Sequence, residues 1–229
     1  MSETLNREDA ISSPEGPRTV TPIPLKDLER LLLDSSGETY YERTEKVPGI
    51  EGPARLLVIH ERVGAGRLVW FHYIADLPGA KEEYVASMTL TIIDAHDAVL
   101  SHREVKIEHG QGTGTALYLQ TEDFARQLVE RQRQPMTISA EFDQYDVLKW
   151  LDKLGYEPTD ESRELYEDIM ANVGVTDKYY VDYDNTSGYR PLSIFERTPE
   201  GHPKAMPVRI VMQRVVESAL AQQTKAPSR

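Results

Sequence analysis

Cysteine is absent from the 229 residues of this chain. Its absence excludes disulfide bridges, thiolate nucleophiles and cysteine-ligated metal sites, and with them the small secreted scaffolds that depend on disulfides. Long apolar runs are also missing, because no stretch approaches the roughly 20 residues that a helix needs to span a bilayer. No basic-then-apolar leader follows Met1. We therefore expect a cytoplasmic protein that does not insert into a membrane.

Basic residues are scarce. The chain has 26 Lys and Arg against 38 Asp and Glu, a formal net charge of −12. Binding to nucleic acid depends on Lys and Arg neutralising phosphates. We therefore expect no nucleic-acid partner.

Catalytic signatures are missing as well. The sequence contains no Gly-x-Ser-x-Gly elbow and no His-Glu-x-x-His pair, and the Gly-rich segment 110–115 lacks the Lys-Ser/Thr of a phosphate-binding loop. Asp182-Tyr183-Asp184 resembles the nucleophile signature of haloacid-dehalogenase-type phosphatases. It stands late in the chain, without the later Lys and acidic pair of that family, so we interpret it as a hairpin turn. The sequence predicts no cofactor and no metal site. It does not identify a catalytic residue and leaves open whether the protein is an enzyme.

Residues 54–120 carry the clearest structural pattern, in which apolar segments with strand character alternate with turn signals. Gly64-Ala65-Gly66 separates the first two segments and indicates a hairpin with a three-residue loop. Neighbouring segments of this kind form antiparallel meanders. We predict strands at 55–63, 67–77, 84–93 and 99–107, with a fifth short strand at 116–120.

The rest of the chain contains both helical and strand patterns. Apolar spacing and capping residues predict helices, and shorter apolar runs predict strands. The predicted helices are 25–32, 122–133, 143–154 and 160–173, the last two forming an αα-hairpin. A sixth strand is predicted at 136–142 and a second hairpin at 178–183 and 190–197. Segment 208–221 suits either a strand or a helix.

Together these elements predict an α+β fold, an antiparallel β-meander sheet of five to seven strands with helices packed on one face. Residues 1–22 and 222–229 have too little apolar content to order, so we expect disordered tails. Between them we expect a single domain, 23–221. Its parts are the meander 54–120, the helical part 121–174, and the hairpin with a C-terminal element, 178–221.

The leading functional hypothesis follows from charge. Ten acidic and only three basic residues lie from Glu141 to Asp168, a stretch that contains most of the predicted αα-hairpin. Such a surface can steer a basic partner and hold it through charge-assisted bonds. We therefore expect a non-enzymatic interaction protein, an adaptor, inhibitor or immunity-type factor, that binds a protein partner. The predicted contact residues are Trp150, Asp152, Glu164 and Asp168.

The alternative is an enzyme or small-ligand-binding protein with its pocket on the meander face. A three-residue loop at Gly64–Gly66 would set His60 opposite Trp70, with His72 two residues further along the same face. Diagonal partners of this kind lie about 7–8 Å apart, within reach of one ligand. This hypothesis names His60, Trp70 and His72 as ligand-binding residues.

Overall fold

The computed structural model of the chain describes residues 20–33, 39–77, 79–106, 112–173, 179–181, 192–197 and 203–218. Most of the predicted N-terminal tail, all of 222–229 and the Asp182–Thr186 turn lie outside these residues. The first described element is α1 (Leu25–Leu33), which follows Pro24 as predicted. It buries Leu28, Leu31 and Leu32 on one side.

A five-stranded antiparallel meander follows. Its strands are β1 (Thr39–Lys46), β2 (Pro53–Val63), β3 (Gly66–Leu77), β4 (Ala80–Ile92) and β5 (Asp97–Val105). Buried and more exposed residues alternate along β2, as expected for a strand with one face in the core. Strand β1 was not predicted, because its inward positions include Arg43 and Glu45 and no apolar alternation marks it.

Segment 116–120 is helical, and the strand predicted there is wrong. It belongs to α2 (Thr113–Gln132), which buries Leu117, Phe124 and Leu128. These positions share one side of a helix because they recur at intervals of seven and four. The chain then enters β6 (Met136–Phe142), the predicted sixth strand, which lies parallel to β5. A parallel neighbour requires a crossover connection, and α2 supplies it.

The predicted αα-hairpin contains a short strand. Between α3 (Tyr145–Lys153) and α4 (Asp160–Asn172) lies β7 (Glu157–Pro158), at the edge of the sheet. The other described elements are three strands of a small separate sheet and one long partner of β6. They are β8 (Tyr179–Val181), β9 (Leu192–Arg197), β10 (Pro203–Pro207) and β11 (Ile210–Val216). The ambiguous segment 208–221 thus supplies a strand.

The fold is α+β, as predicted, with a mostly antiparallel main sheet. That sheet has eight strands in the order β1-β2-β3-β4-β5-β6-β11-β7, more than the predicted five to seven. Helix α2 packs on β3 and β4, with Phe71 and Phe124 in edge-to-face contact at 5.5 Å between ring centroids. Helices α1 and α3 lie against the same side, which we call the core face. None of the described helices is long and apolar enough to cross a membrane.

Candidate functional site

The β2–β3 turn decides which side chains share a face. Val63 pairs with Gly66, so the loop has two residues, Gly64 and Ala65, instead of the predicted three. His60 consequently lies opposite Val69, and Trp70 lies opposite Ile59. A shift of one residue moves a side chain to the other face of a strand. The predicted register is therefore wrong, and His60 does not share a face with Trp70 and His72.

His60 belongs to the core face, where only 2% of its surface is exposed. Trp70 and His72 point to the opposite side of the sheet, which we call the open face, and both are half-buried. Their rings are stacked with centroids 6.0 Å apart. His72 also meets the Tyr84 ring at 4.8 Å, and its Nδ1 lies 2.7 Å from Ser87 Oγ. Ligand binding by Trp70 and His72 stays a prediction, but without His60.

Trp150 is turned toward the core. Its ring meets Tyr118 of α2 edge-to-face at 5.5 Å between centroids, and its Nε1 donates a hydrogen bond to Thr115 Oγ1 at 3.1 Å. Both contacts fasten α3 to α2. These contacts do not test the predicted role of Trp150 at an interface. They show that its ring packs on Tyr118 and that its N–H bonds Thr115, so that both stabilise the fold.

Asp152 bonds to the inner side of α4, whereas Glu164 lies on the outer side. Asp152 accepts a hydrogen bond from Tyr166. Burial is the main cause that raises the pKa of the Tyr166 phenol to about 12, and the charge of Asp152 is the second cause. Tyr166 lies on the inner side of α4, four residues from the buried Ser162 and three from the buried Ile169.

Glu164 and Asp168 lie on the outer side of α4, four residues apart. They share this side with three other carboxylates, and together the five form what we call the acidic stripe. Its members are Asp160, Glu161, Glu164, Glu167 and Asp168.

Two polar clusters on the core face escaped the sequence analysis. In the first, Glu45 accepts hydrogen bonds from Tyr73 Oη at 2.7 Å, Arg43 Nε at 2.7 Å and Gln120 Nε2 at 3.1 Å. Burial, followed by the Glu45 charge, raises the pKa of the Tyr73 phenol. The alternation of Tyr41, Arg43 and Glu45 in β1 was the signal, but charged residues at inward positions do not indicate a strand.

The second cluster centres on Arg214 of β11. Its Nη1 donates to Glu122 Oε2 at 3.0 Å and to Tyr118 Oη at 3.3 Å. Burial, followed by the neighbouring Tyr156 and Glu122, raises the pKa of the Tyr118 phenol. These bonds pair the charges of Arg214 and Glu122 inside the fold, and we assign the cluster a structural role.

Two further features of the described residues are their metal-ligating side chains and a depression on the surface. Within them, no group of three or more His, Asp or Glu side chains is placed to hold a metal ion. A shallow depression of about 390 Å³ lies where β5 and β6 diverge, lined by residues that include Ser101, Phe142 and Arg209. Arg209 Nη1 is bound there to Glu141 Oε1 at 3.1 Å, so the depression presents a neutralised ion pair.

Comparison with known proteins adds no family. The sequence matches no protein-family model, and no curated protein is significantly similar to it.

Proposed function

We propose that this chain is a non-enzymatic binding protein, an adaptor, inhibitor or immunity-type factor, that docks a basic protein partner on the acidic stripe of α4. The supporting observation is a row of outward carboxylates, three of which form no ion pair with a described residue. Glu161, Glu164 and Glu167 are exposed, and none of them forms an ion pair with a described residue. Within the stripe, Asp160 meets Arg163 at 3.6 Å, with the Asp160 side chain fully exposed.

Helix stability does not account for this charge. Asp160 and Glu161 in the first turn favour the helix, because carboxylates there interact with the positive end of the helix dipole. Glu164 and Glu167 lie beyond that turn, and the last turn has no basic residue. Like charges three or four residues apart destabilise a helix by about 0.2–0.5 kcal/mol per pair. The Lys and Arg side chains of a basic partner would attract these carboxylates and so offset their mutual repulsion.

The test changes charge without changing shape. We expect the double variant Glu164→Gln, Glu167→Gln to keep the wild-type circular dichroism spectrum and to associate with its partner about tenfold more slowly at low salt, because surface charges act mainly on the encounter rate. The measurement uses surface plasmon resonance at several salt concentrations, against a partner captured on the immobilised chain and identified by mass spectrometry.

The matched control is Glu51→Gln, Glu130→Gln, which removes the same charge from two exposed carboxylates outside α4. It should associate at close to the wild-type rate. If both double variants slow association equally, net charge is responsible and the acidic stripe is not the docking surface.

A further inference from the structure

The main sheet has two different edges in the described part of the chain. One edge is β7, which consists of two residues, the second of them Pro158. A short strand with a proline resists pairing with another chain, because it offers few main-chain donors. The other edge is β1, which has eight residues and neither proline nor glycine. The β1 edge therefore has the length that a further strand needs.

The main-chain groups of β1 point alternately toward β2 and away from it. Val63 and Gly66 flank the two-residue turn and form a hydrogen-bonded pair, as the ends of such a turn do. Every second residue of β2 counted from Val63 therefore bonds β3, and the residues between them bond β1. In the β1–β2 register these bonds reach Tyr41, Arg43 and Glu45. The N–H and C=O groups that point outward, which we call the outer row, belong to Tyr40, Glu42, Thr44 and Lys46.

The outer row is accessible to a further strand. The Tyr40 carbonyl accepts a hydrogen bond from Arg30 Nη2 at 3.0 Å, which agrees with its outward direction. Within the described residues, no other bond from a side chain or a turn reaches the main chain of the outer row. Glu42, Thr44 and Lys46 are exposed. Three successive sets of donors and acceptors thus lie along this edge with no partner among the described strands.

The charges of β1 form a pattern that is complementary to itself. On either side of Thr44, Arg43 and Glu45 have opposite charges, and so have Glu42 and Lys46. In an antiparallel pair of two β1 strands with Thr44 opposite Thr44, Glu42 lies opposite Lys46 and Arg43 opposite Glu45. A shift of two residues sets Arg43 against Arg43 or Glu45 against Glu45. Opposite charges stabilise a cross-strand pair and like charges destabilise it, so the charges select one register.

We propose that β1 pairs with β1 of a second copy of the chain, which joins the two main sheets about a two-fold axis at Thr44. This register matches the outer row, because Glu42, Thr44 and Lys46 all direct their main-chain groups outward. Residues directly opposite each other in a sheet lie on the same face. Glu42 and Lys46 therefore meet on the open face, where Lys46 makes no ion pair with a described residue.

The contact is short, and we expect a weak dimer. The ladder ends where Tyr40 would meet Pro48, which has no N–H group, so the bond from Arg30 to Tyr40 is kept. Each chain also carries a net charge of −12, although repulsion between distant charges is screened beyond about 8 Å at physiological salt. We expect a dissociation constant on the order of 10–100 µM.

Charge reversal tests the register. Lys46→Glu sets two carboxylates opposite each other, and Glu42→Lys sets two ammonium groups opposite each other. Each variant alone should dimerise at least about tenfold more weakly than the wild type in sedimentation velocity at about 200 µM. An equal mixture of the two should form a heterodimer of about wild-type affinity, because every charge then faces its opposite. Lys153→Glu, the control, changes an exposed lysine on α3 and should dimerise as the wild type does.

Thr44→Pro tests the main-chain ladder. It removes an outward N–H group and leaves the residues that bond β2 unchanged, so the chain should fold cooperatively and remain monomeric. Should this variant not fold, the two charge variants and their mixture decide the question.

Thr44→Cys tests the two-fold axis in a chain that has no cysteine of its own. Facing Cα atoms in a hydrogen-bonded pair lie about 5.5 Å apart, within the range of a disulfide. Mild oxidation should therefore link two copies. Tyr40→Cys is the control, because the two introduced thiols would lie eight residues, or about 27 Å, apart along the strands. That variant should link at least about tenfold more slowly.

Four outcomes would overturn the proposal. They are a wild-type chain that stays monomeric at about 1 mM, a dimer that Lys46→Glu or a folded Thr44→Pro chain leaves intact, a mixture of the charge variants that forms no heterodimer, and equal rates of linking in the two cysteine variants. All of them leave the acidic stripe untested, because α4 lies by β7 and β11 at the opposite edge of the sheet.

Discussion

Arg214 joins three parts of the fold through one guanidinium group. From β11 it bonds Glu122 and Tyr118 of α2, and it also donates to the carbonyl of Leu154 at the end of α3. Glu122 is only 6% exposed, so its charge requires a partner in place. Arg126 supplies a second one at 2.8 Å. The Glu122 carboxylate thus pairs with two arginines at the contact between the sheet and its crossover helix.

Tyr166 gives a pH prediction at the same scale. Its pKa is raised from 10.0 to about 12, by burial first and then by the Asp152 charge and hydrogen bond. The bond stabilises the fold below pH 10. This contribution is lost as the pH rises from 10 through 12, because the unfolded chain releases the phenolic proton first. Replacing Asp152 by Asn should lower the pKa of Tyr166 toward 10, measured from the ¹³C resonance of its ring during titration.

The control for this titration is Glu164→Gln, which removes a carboxylate from the outer side of α4. It should leave the Tyr166 titration near that of the wild type. A Tyr166 pKa that remains near 12 in the Asp152→Asn chain would show that burial alone raises it.

At the scale of elements, the two-residue turn between β2 and β3 sets the composition of both sheet faces. Gly64 has a φ of +60°, a left-handed conformation that few side chains adopt without strain. A methyl group added at Gly64 would meet no atom within 4 Å. Any loss of stability on substitution there therefore comes from the backbone.

Gly64→Ala should consequently destabilise the protein by about 1 kcal/mol. Gly64→Asn should cost less, because Asn tolerates the left-handed region better than Ala does. Urea unfolding of the two variants beside the wild type measures the difference. Equal losses in Ala and Asn would contradict a backbone origin and indicate a contact made by the turn.

On the scale of the whole molecule, the main sheet is completed by residues from the end of the described chain. All seven residues of β11 pair with β6, and β11 also pairs with β7. Ile210, Met212 and Val216 are buried in the core. The C-terminal strand thus lies inside the sheet and connects β6 to its β7 edge.

Truncation after Arg209 should therefore abolish cooperative unfolding, because it removes an interior strand and three buried side chains. Truncation after Ser218 removes only 219–229, whose composition does not predict packing. That chain should melt within about 4 °C of the wild type, which corresponds to roughly 1 kcal/mol in a protein of this size. Calorimetry of both truncated chains checks the pair. A native-like transition in the shorter chain would show that β11 is dispensable.

The sequence by itself was sufficient for the elements whose signals are local. Helix α1 follows Pro24, strands β2 to β5 alternate in polarity between turn residues, and β6 is a short apolar run after Pro135. Each signal lies within about ten residues, the range over which periodicity and turn chemistry act. The α+β class followed from these elements.

Only the tertiary structure decided how these elements share their faces. One residue fewer in the Gly64-Ala65 loop places His60 in the core and Trp70 on the open face, because strand side chains alternate with a period of two. Within segment 208–221, Ile210–Val216 becomes a strand through pairing with β6, a partner about 70 residues away, which local propensity does not encode. Trp150 turns toward Tyr118 through a contact between α3 and α2, which local propensity does not encode either. Contacts distant in sequence selected among conformations that the local pattern allowed.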